Sequence, residues 1–273
     1  MLDEAETGRP VPMASVFATF RQYLLGWGAE GRRGDIGVDR FRSGLATPQF
    51  NGVVRLLPSA GADRPVEESV AAVRGELAGV PWWWWVGPDS PPGTAGLLRR
   101  HGGREIASLP VMVRSLDGPA GPGRPCAGLR VEEVRDAGRL AGLVRTYRTS
   151  MGVGPDLQAG MVRAEAGRAD GADIVRLAAV LEGEVVGTTT VIAAHGVAGI
   201  FLVHVAEEHR RRGVGAALTA AALRVGRERG MDAAALVASP AGEALYRRFG
   251  FTSVWGYRLF DFPDFPGFPG FPA

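Results

Sequence analysis

Apolar and polar positions along the chain fall into two regimes, one loosely and one tightly patterned. In the first, apolar side chains at helical spacing predict a helix from Val16 to Trp27. A polar, Gly- and Arg-rich segment follows from Gly28 to Arg42, and Phe50 to Leu57 predicts a strand or hairpin with Asn51-Gly52 as a turn signal. Pro65 to Leu77 has helical periodicity with Glu67 and Glu68 in its first turn. Pro81 to Pro88 predicts a short aromatic strand holding Trp82, Trp83, Trp84 and Trp85. Thr94 to His101 predicts a helix closed by Gly102-Gly103, and Glu105 to Arg114 a strand. Four consecutive tryptophans must alternate between the faces of a strand, so both faces need cover. They fit a sandwiched core strand first; the second reading is a wall of a substrate cleft or an interdomain surface, with Trp83 and Trp85 as the substrate candidates.

Asp117 to Gly128 breaks the pattern, because Pro and Gly dominate it and nothing periodic survives. The domain division predicted here is therefore 1–116, a linker over 117–128, a second domain over 129–260 and a tail over 261–273. The second domain is regular. Strands are expected at 129–134, 174–181, 185–194, 197–205, 232–238 and 251–260, and helices at 136–150, 155–167, 214–229 and 240–249. Asp136 is a plausible N-cap, Glu182-Gly183-Glu184 a tight hairpin, and His195-Gly196 a turn. The tail repeats Phe-Pro every three residues, which neither a helix nor a central strand accepts.

Composition narrows the function classes. The chain has 273 residues, 46% of them hydrophobic, and a net charge of +2, with its arginines mixed among acids. No dense one-sided basic run with interleaved aromatics marks a nucleic-acid interface. Cys126 is the single cysteine, so an intrachain disulfide and a cysteine metal cluster are excluded. His101, His195, His204 and His209 lack metal-ligand spacing on one helix face, so no metal is expected. No run approaches the ~20 apolar residues of a membrane span, and Asp3, Glu4 and Glu6 do not suit a signal peptide. The expectation is a cytoplasmic protein, monomeric or homodimeric, with no nucleic-acid or membrane partner.

The candidate chemistry sits at His209-Arg210-Arg211-Arg212-Gly213-Val214-Gly215-Ala216, between a predicted strand and a predicted helix. Two glycines let the backbone approach a ligand closely, and first-turn N–H groups point at it with the helix dipole favouring an anion. Three arginines add donors suited to phosphate. The loop reads as a pyrophosphate cradle.

The element order from Leu129 onward, with R-x-x-G-x-G at Arg210 to Gly215, resembles the GCN5-related N-acetyltransferase (GNAT) family. Ser239 to Phe251, containing Leu245-Tyr246 and Gly250-Phe251, resembles that family's last helix. The resemblance implies an α/β (α+β) fold of two GNAT-like domains, each a mixed, mostly antiparallel sheet flanked by helices. The first copy would be degenerate, since 1–116 lacks the R-x-x-G-x-G loop. It further implies acetyl-CoA as acyl donor, with Arg210, Arg211, Arg212, Gly213, Val214, Gly215 and Ala216 on its pyrophosphate and Val203 and Val205 along the pantetheine arm. Ser239 would touch that arm or cap the helix, and Tyr246 would sit by the sulfur and protonate the leaving thiolate. The partner would be an amine acceptor. The proton acceptor is open: Gly199 to Phe201 supply no carboxylate, and His204 is the candidate, with His195, Glu207 and Glu208 as alternatives.

Overall fold

The computed structural model describes residues 11–28, 32–33, 36–57, 66–118, 121 and 127–262. Cys126 and the Phe-Pro repeat from Pro263 onward lie outside the described residues.

Helix α1 (Met13–Leu25) forms because Val16, Phe17, Phe20, Tyr23 and Leu24 recur on one side, all of them buried. Burying each such side chain is worth about 2 kcal/mol, which fixes the helix by packing rather than by propensity. The first half continues with β1 (Arg32–Arg33), β2 (Val38–Arg42), β3 (Asn51–Leu56), α2 (Val66–Glu76), β4 (Trp83–Val86), α3 (Thr94–Arg100) and β5 (Arg104–Ser115). The second half runs β6 (Arg130–Glu133), α4 (Ala137–Ser150), α5 (Gln158–Ala166), β7 (Ile174–Leu181), β8 (Glu184–Ala194), β9 (Val197–Val205), α6 (Val214–Glu228), β10 (Ala233–Val237), α7 (Pro240–Arg248) and β11 (Thr252–Asp261).

All of these strands join one sheet in the order β1-β2-β3-β4-β11-β5-β10-β9-β8-β7-β6. Every pairing is antiparallel except β3–β4 and β9–β10. The α/β class and the mixed, mostly antiparallel sheet flanked by helices are as expected. The two expected sheets, however, are joined edge to edge. Each half gives its last strand to the other: β5 lies between β10 and β11, and β11 lies between β4 and β5. The order α1-β1-β2-β3-α2-β4-α3-β5 repeats as α4-β7-β8-β9-α6-β10-α7-β11. This repeat relates the halves by a pseudo-twofold axis that passes between β5 and β11.

Clusters of buried side chains show which helices share a face. Helices α6 and α7 cover one face with Met112, Leu236 and Phe249, and α2 and α3 extend the same layer with Trp82, Trp84 and Phe260. Helices α1, α4 and α5 take the opposite face. Four strands stand between β3 and β9, yet α1 touches β2, β3, β8 and β9. The sheet therefore coils around α1, and this face is concave.

Two local expectations change. Asn51-Gly52 is not a turn: Asn51 is extended (φ −142°) and opens β3. Its buried amide donates to the carbonyls of Leu45 and Thr47 and accepts from Ser43 N–H, so it organises the loop before the strand. A Cβ on Gly52 would lie 2.3 Å from the Trp83 carbonyl oxygen, so glycine is required by strand approach. The polar stretch Gly28 to Arg42 also hides β2. Its charged residues Asp39 and Arg40 are only 2% and 4% exposed because they pair with Arg55 at 2.7 Å and Glu76 at 3.2 Å.

Candidate active site

The concave and helical faces meet where β9 and β10 part. Their parallel ladder runs from Val197/Ala233 to Ile200/Leu236 and stops, while β9 continues to Val205. The cause is a bulge in β9. Thr190 pairs with Phe201 and Thr188 with His204, which leaves an extra residue in β9, with Leu202 at φ +50°. Phe201 and Leu202 consequently both enter the core on the α1 side, whereas Val203 packs on the α6 side. Ala206 N–H donates to Val186 O on the β8 side, so strand alternation turns the polar groups of Val203 and Val205 toward the opening. An extended amide-bearing chain could add there as a strand.

The loop after β9 ends at this opening. A 3-10 turn, Glu207–His209, leads to Arg210, Arg211 sits at φ +62°, and Gly213 adopts φ +84°. Gly213 is the N-cap of α6 and no side chain caps the helix, nor does any acid stand in its first turn. The N–H groups of Val214, Gly215 and Ala216 are left without intrahelical acceptors. Arg210, Arg211 and Arg212 are all exposed. The Arg210 guanidinium reaches back to Val205 O at 3.4 Å, and Arg212 lies 3.1 Å from His209 Nδ1. A short anionic group would meet N–H donors, a helix dipole and three cations.

Across the opening, α7 begins at Ser239, whose Oγ accepts Gly242 N–H at 3.2 Å. This is the capping role, and the hydroxyl hydrogen remains able to donate. Leu245 lies 3.3 Å from where a Cβ on Gly215 would stand, so α7 presses against the cradle. Tyr246 packs edge-on to Phe251 and is 7% exposed. Burial pushes its phenol above the ordinary tyrosine value, so it stays protonated. A phenol held protonated in this way can donate a hydrogen bond but gives up its proton less readily than an ordinary tyrosine, which counts against the acid role expected of it.

His204 is the titratable side chain of the parted segment 201–205 and lies on the concave side. Its Nδ1 is 2.9 Å from Ser150 Oγ at the end of α4. Burial, helped by the Arg210 charge, lowers its pKa to about 4. It is thus neutral at neutral pH and free to accept a proton, but weakly basic. Because the unfolded chain binds that proton near pH 6.5, stability should fall as pH drops from about 6.5 toward about 4. Urea midpoints at pH 7 and 4.5 test this: His204→Gln should lose part of the acid-side decline, and an unchanged decline would count against it.

Other sequence candidates separate from the site. His195 occupies a turn at φ +53°, at the far end of the nine-residue β9, about 25 Å from the cradle. Glu207 and Glu208 point into solvent. Trp83 is 2% exposed and packs with Val16, Phe20 and Val111, so it offers no surface to an acceptor. Trp85 is half-buried on the concave side, 5.8 Å edge-on from Tyr257, with its indole N–H buried and unpartnered. Tyr23 was not foreseen at all. It stacks on Phe201 at 3.6 Å with Phe20 beside them, so α1 of the first half walls the second half's opening. Nothing local in the sequence signals that contact.

Among the described residues no group of His, Cys, Asp and Glu could hold a metal ion, and no helix is long and apolar enough to cross a membrane. Residues 140–251 match the profile of the acetyltransferase (GNAT) family. No curated protein matches the sequence. Among solved structures, a GCN5-related N-acetyltransferase from Kribbella flavida superposes with TM-score 0.70 at 19% identity, covering 93% of this chain and 97% of its own. A GCN5-related N-acetyltransferase from Sphaerobacter thermophilus reaches 0.57 at 22% identity, covering 71% and 65%. A tandem GNAT protein from the clavulanic acid biosynthesis pathway reaches 0.58 at 17% identity, covering 82% and 77%. At these identities the likeness is one of fold.

Proposed function

We propose that the chain, whose residues 140–251 match the acetyltransferase (GNAT) family, transfers an acetyl group from acetyl-CoA to a primary amine. The acceptor would be a small molecule, a natural product or a peptide N-terminus. The observation that carries this reading is the uncapped N-terminus of α6 at Gly213, beside the parted end of β9. The proposal includes the division at 117–128 into a first half that shapes the acceptor side and a second half that holds the coenzyme.

In this reading Gly213 to Ala216 and Arg210 to Arg212 bind the pyrophosphate, and the exposed edge of Val203 and Val205 pairs with the pantetheine amides. The thioester then lies between the concave face and Tyr246. The amine nitrogen attacks the thioester carbonyl, its proton passes to a base on the concave side, and the C–S bond breaks to release a thiolate. Tyr246 holds that sulfur by hydrogen bond, and the thiolate takes its proton from solvent as the coenzyme leaves. His204, neutral and bonded to Ser150, is positioned to take the amine's proton directly or through the serine hydroxyl.

Titration calorimetry with acetyl-CoA, followed by thiol release across an amine panel, tests the reading; no heat of binding would reject it. Tyr246→Phe should lower turnover ~10–100-fold while leaving coenzyme affinity within about twofold. Unchanged turnover would remove Tyr246 from the chemistry. The weak basicity of His204 favours one alternative, a module that binds an acyl-CoA without transfer; a second alternative keeps the transfer but uses a different acyl-CoA. Coenzyme binding without thiol release from the acyl-CoA in the presence of any amine of the panel would support the first, and mass spectrometry of the copurified thioester would show the acyl group.

A further inference from the structure

The exposed surface of β11 carries a feature that the coenzyme site does not use. Trp255 is 58% exposed and its neighbour Val254 is 38% exposed, whereas Trp27, Trp82, Trp83 and Trp84 are each under 5%. An indole left in water next to a second large apolar side chain calls for an occupant.

The sheet register locates the pair. Ser253 pairs with Met112 and Trp255 with Val111, so Val254 is the extra residue of a bulge. Ser253 lies on the α7 side, where its hydroxyl is 3.4 Å from Arg247. Tyr257 lies on the α1 side, packed against Phe17 and Phe20. The bulge brings both Val254 and Trp255 to the α1 side, as the bulge in β9 does for Phe201 and Leu202. Val111 in turn pairs with Val237, the last residue of β10, and Ala238 N–H donates to Pro110 O. Trp255 therefore stands level with the end of β10, where β9 and β10 have parted. It is two strand spacings away, about 10 Å. On the same face the partly buried Val237 and the fully buried Val111 lie between Trp255 and the opening.

Given the acetyl-transfer reading, on which this rests, we infer that Val254 and Trp255 form the acceptor shelf, and that the acceptor is an amine carrying an aryl group. The spacing suits it: an amine at the reaction centre with a two- or three-bond tether places a ring over Trp255. An indole face favours a flat aromatic partner in offset or edge contact over a flexible alkyl chain. Trp255 sets specificity and touches no reacting atom.

The test uses the full chain with 5-fluorotryptophan incorporated, coenzyme A present and phenethylamine as probe, with n-butylamine as the comparison. The fluorine resonance assigned through Trp255→Phe should shift saturably with phenethylamine and barely with n-butylamine. In turnover, Trp255→Ala should raise KM for phenethylamine about tenfold with kcat within about twofold, Trp255→Phe should recover most of the loss, and coenzyme affinity should not move. A resonance that stays still, or an Ala variant with parental KM, overturns the proposal. If no amine is acetylated, the reaction reading fails, while the fluorine shift still decides whether the shelf holds an arylamine.

Discussion

Gly213→Glu is expected to give no detectable heat with acetyl-CoA under conditions where the parent chain saturates. Gly213 sits at φ +84° as the N-cap of α6, a conformation that costs a residue with a Cβ about 1 kcal/mol or more. The larger effect is electrostatic. A carboxylate at this point takes the place of the anion and repels the pyrophosphate; two unit charges 4 Å apart at a surface interact by ~4 kcal/mol. The combined loss corresponds to a factor of at least ~1,000 in affinity. Gly213→Ala separates the contributions, since it keeps only the backbone strain and should bind within about tenfold of the parent. Gly215→Glu should also abolish binding, because its Cβ would already lie 3.3 Å from Leu245 Cδ2, leaving the carboxylate to project into the cradle. Calorimetric affinities for Gly213→Glu within threefold of the parent would remove the cradle from the coenzyme site.

The second large effect concerns the two halves. A chain of residues 129–273 alone should neither melt cooperatively nor bind acetyl-CoA. In the sheet β10 and β11 do not pair with each other; β5 of the first half fills the place between them, paired with β10 from Ala233/Ser115 to Val237/Val111 and with β11 along most of its length. Without β5 both strands lose a full ladder, and Leu236, Phe249 and Phe251 lose Met112 from their cluster. Leaving such strand edges unpaired is an aggregation hazard as well as a loss of stability. Residues 1–116 expressed separately and mixed in should restore binding, since they bring β5 and accept β11. Circular dichroism melts and calorimetry of each piece and of the mixture provide the check. A free second half with parental affinity would show that the strand exchange is dispensable.

Much of the second half was legible in the chain because its determinants are local. Glu182-Gly183 and His195-Gly196 adopt the paired positive φ angles of two-residue hairpins, so Gly and turn chemistry set the β7–β8 and β8–β9 registers from each turn as far as the bulge in each ladder. Asp136 caps α4 by accepting Arg139 N–H at 2.9 Å, and Gly213 opens α6, each as its residue type implies. The cradle needs only backbone N–H groups and a glycine, and both can be read from a dozen consecutive residues.

What the sequence could not determine depends on contacts between distant segments. Asp39 and Arg40 read as solvent-exposed until Arg55 and Glu76 are brought to them, which is why β2 was hidden in a polar stretch. Trp83 and Trp85 share one face of their strand, but which of them is buried depends on where α1 lies across that face. The bulges at Leu202 and Val254 have no sequence signal, yet they decide where β9 leaves β10 and which way Trp255 faces. His204 looked like an ordinary histidine until burial and Arg210 lowered its basicity. The proposed pyrophosphate cradle is thus a property of a short stretch whose backbone geometry travels with its own residues. The proposed acceptor side is a property of the coiled sheet, where α1, β9 and β11 come together because the two halves exchange their last strands.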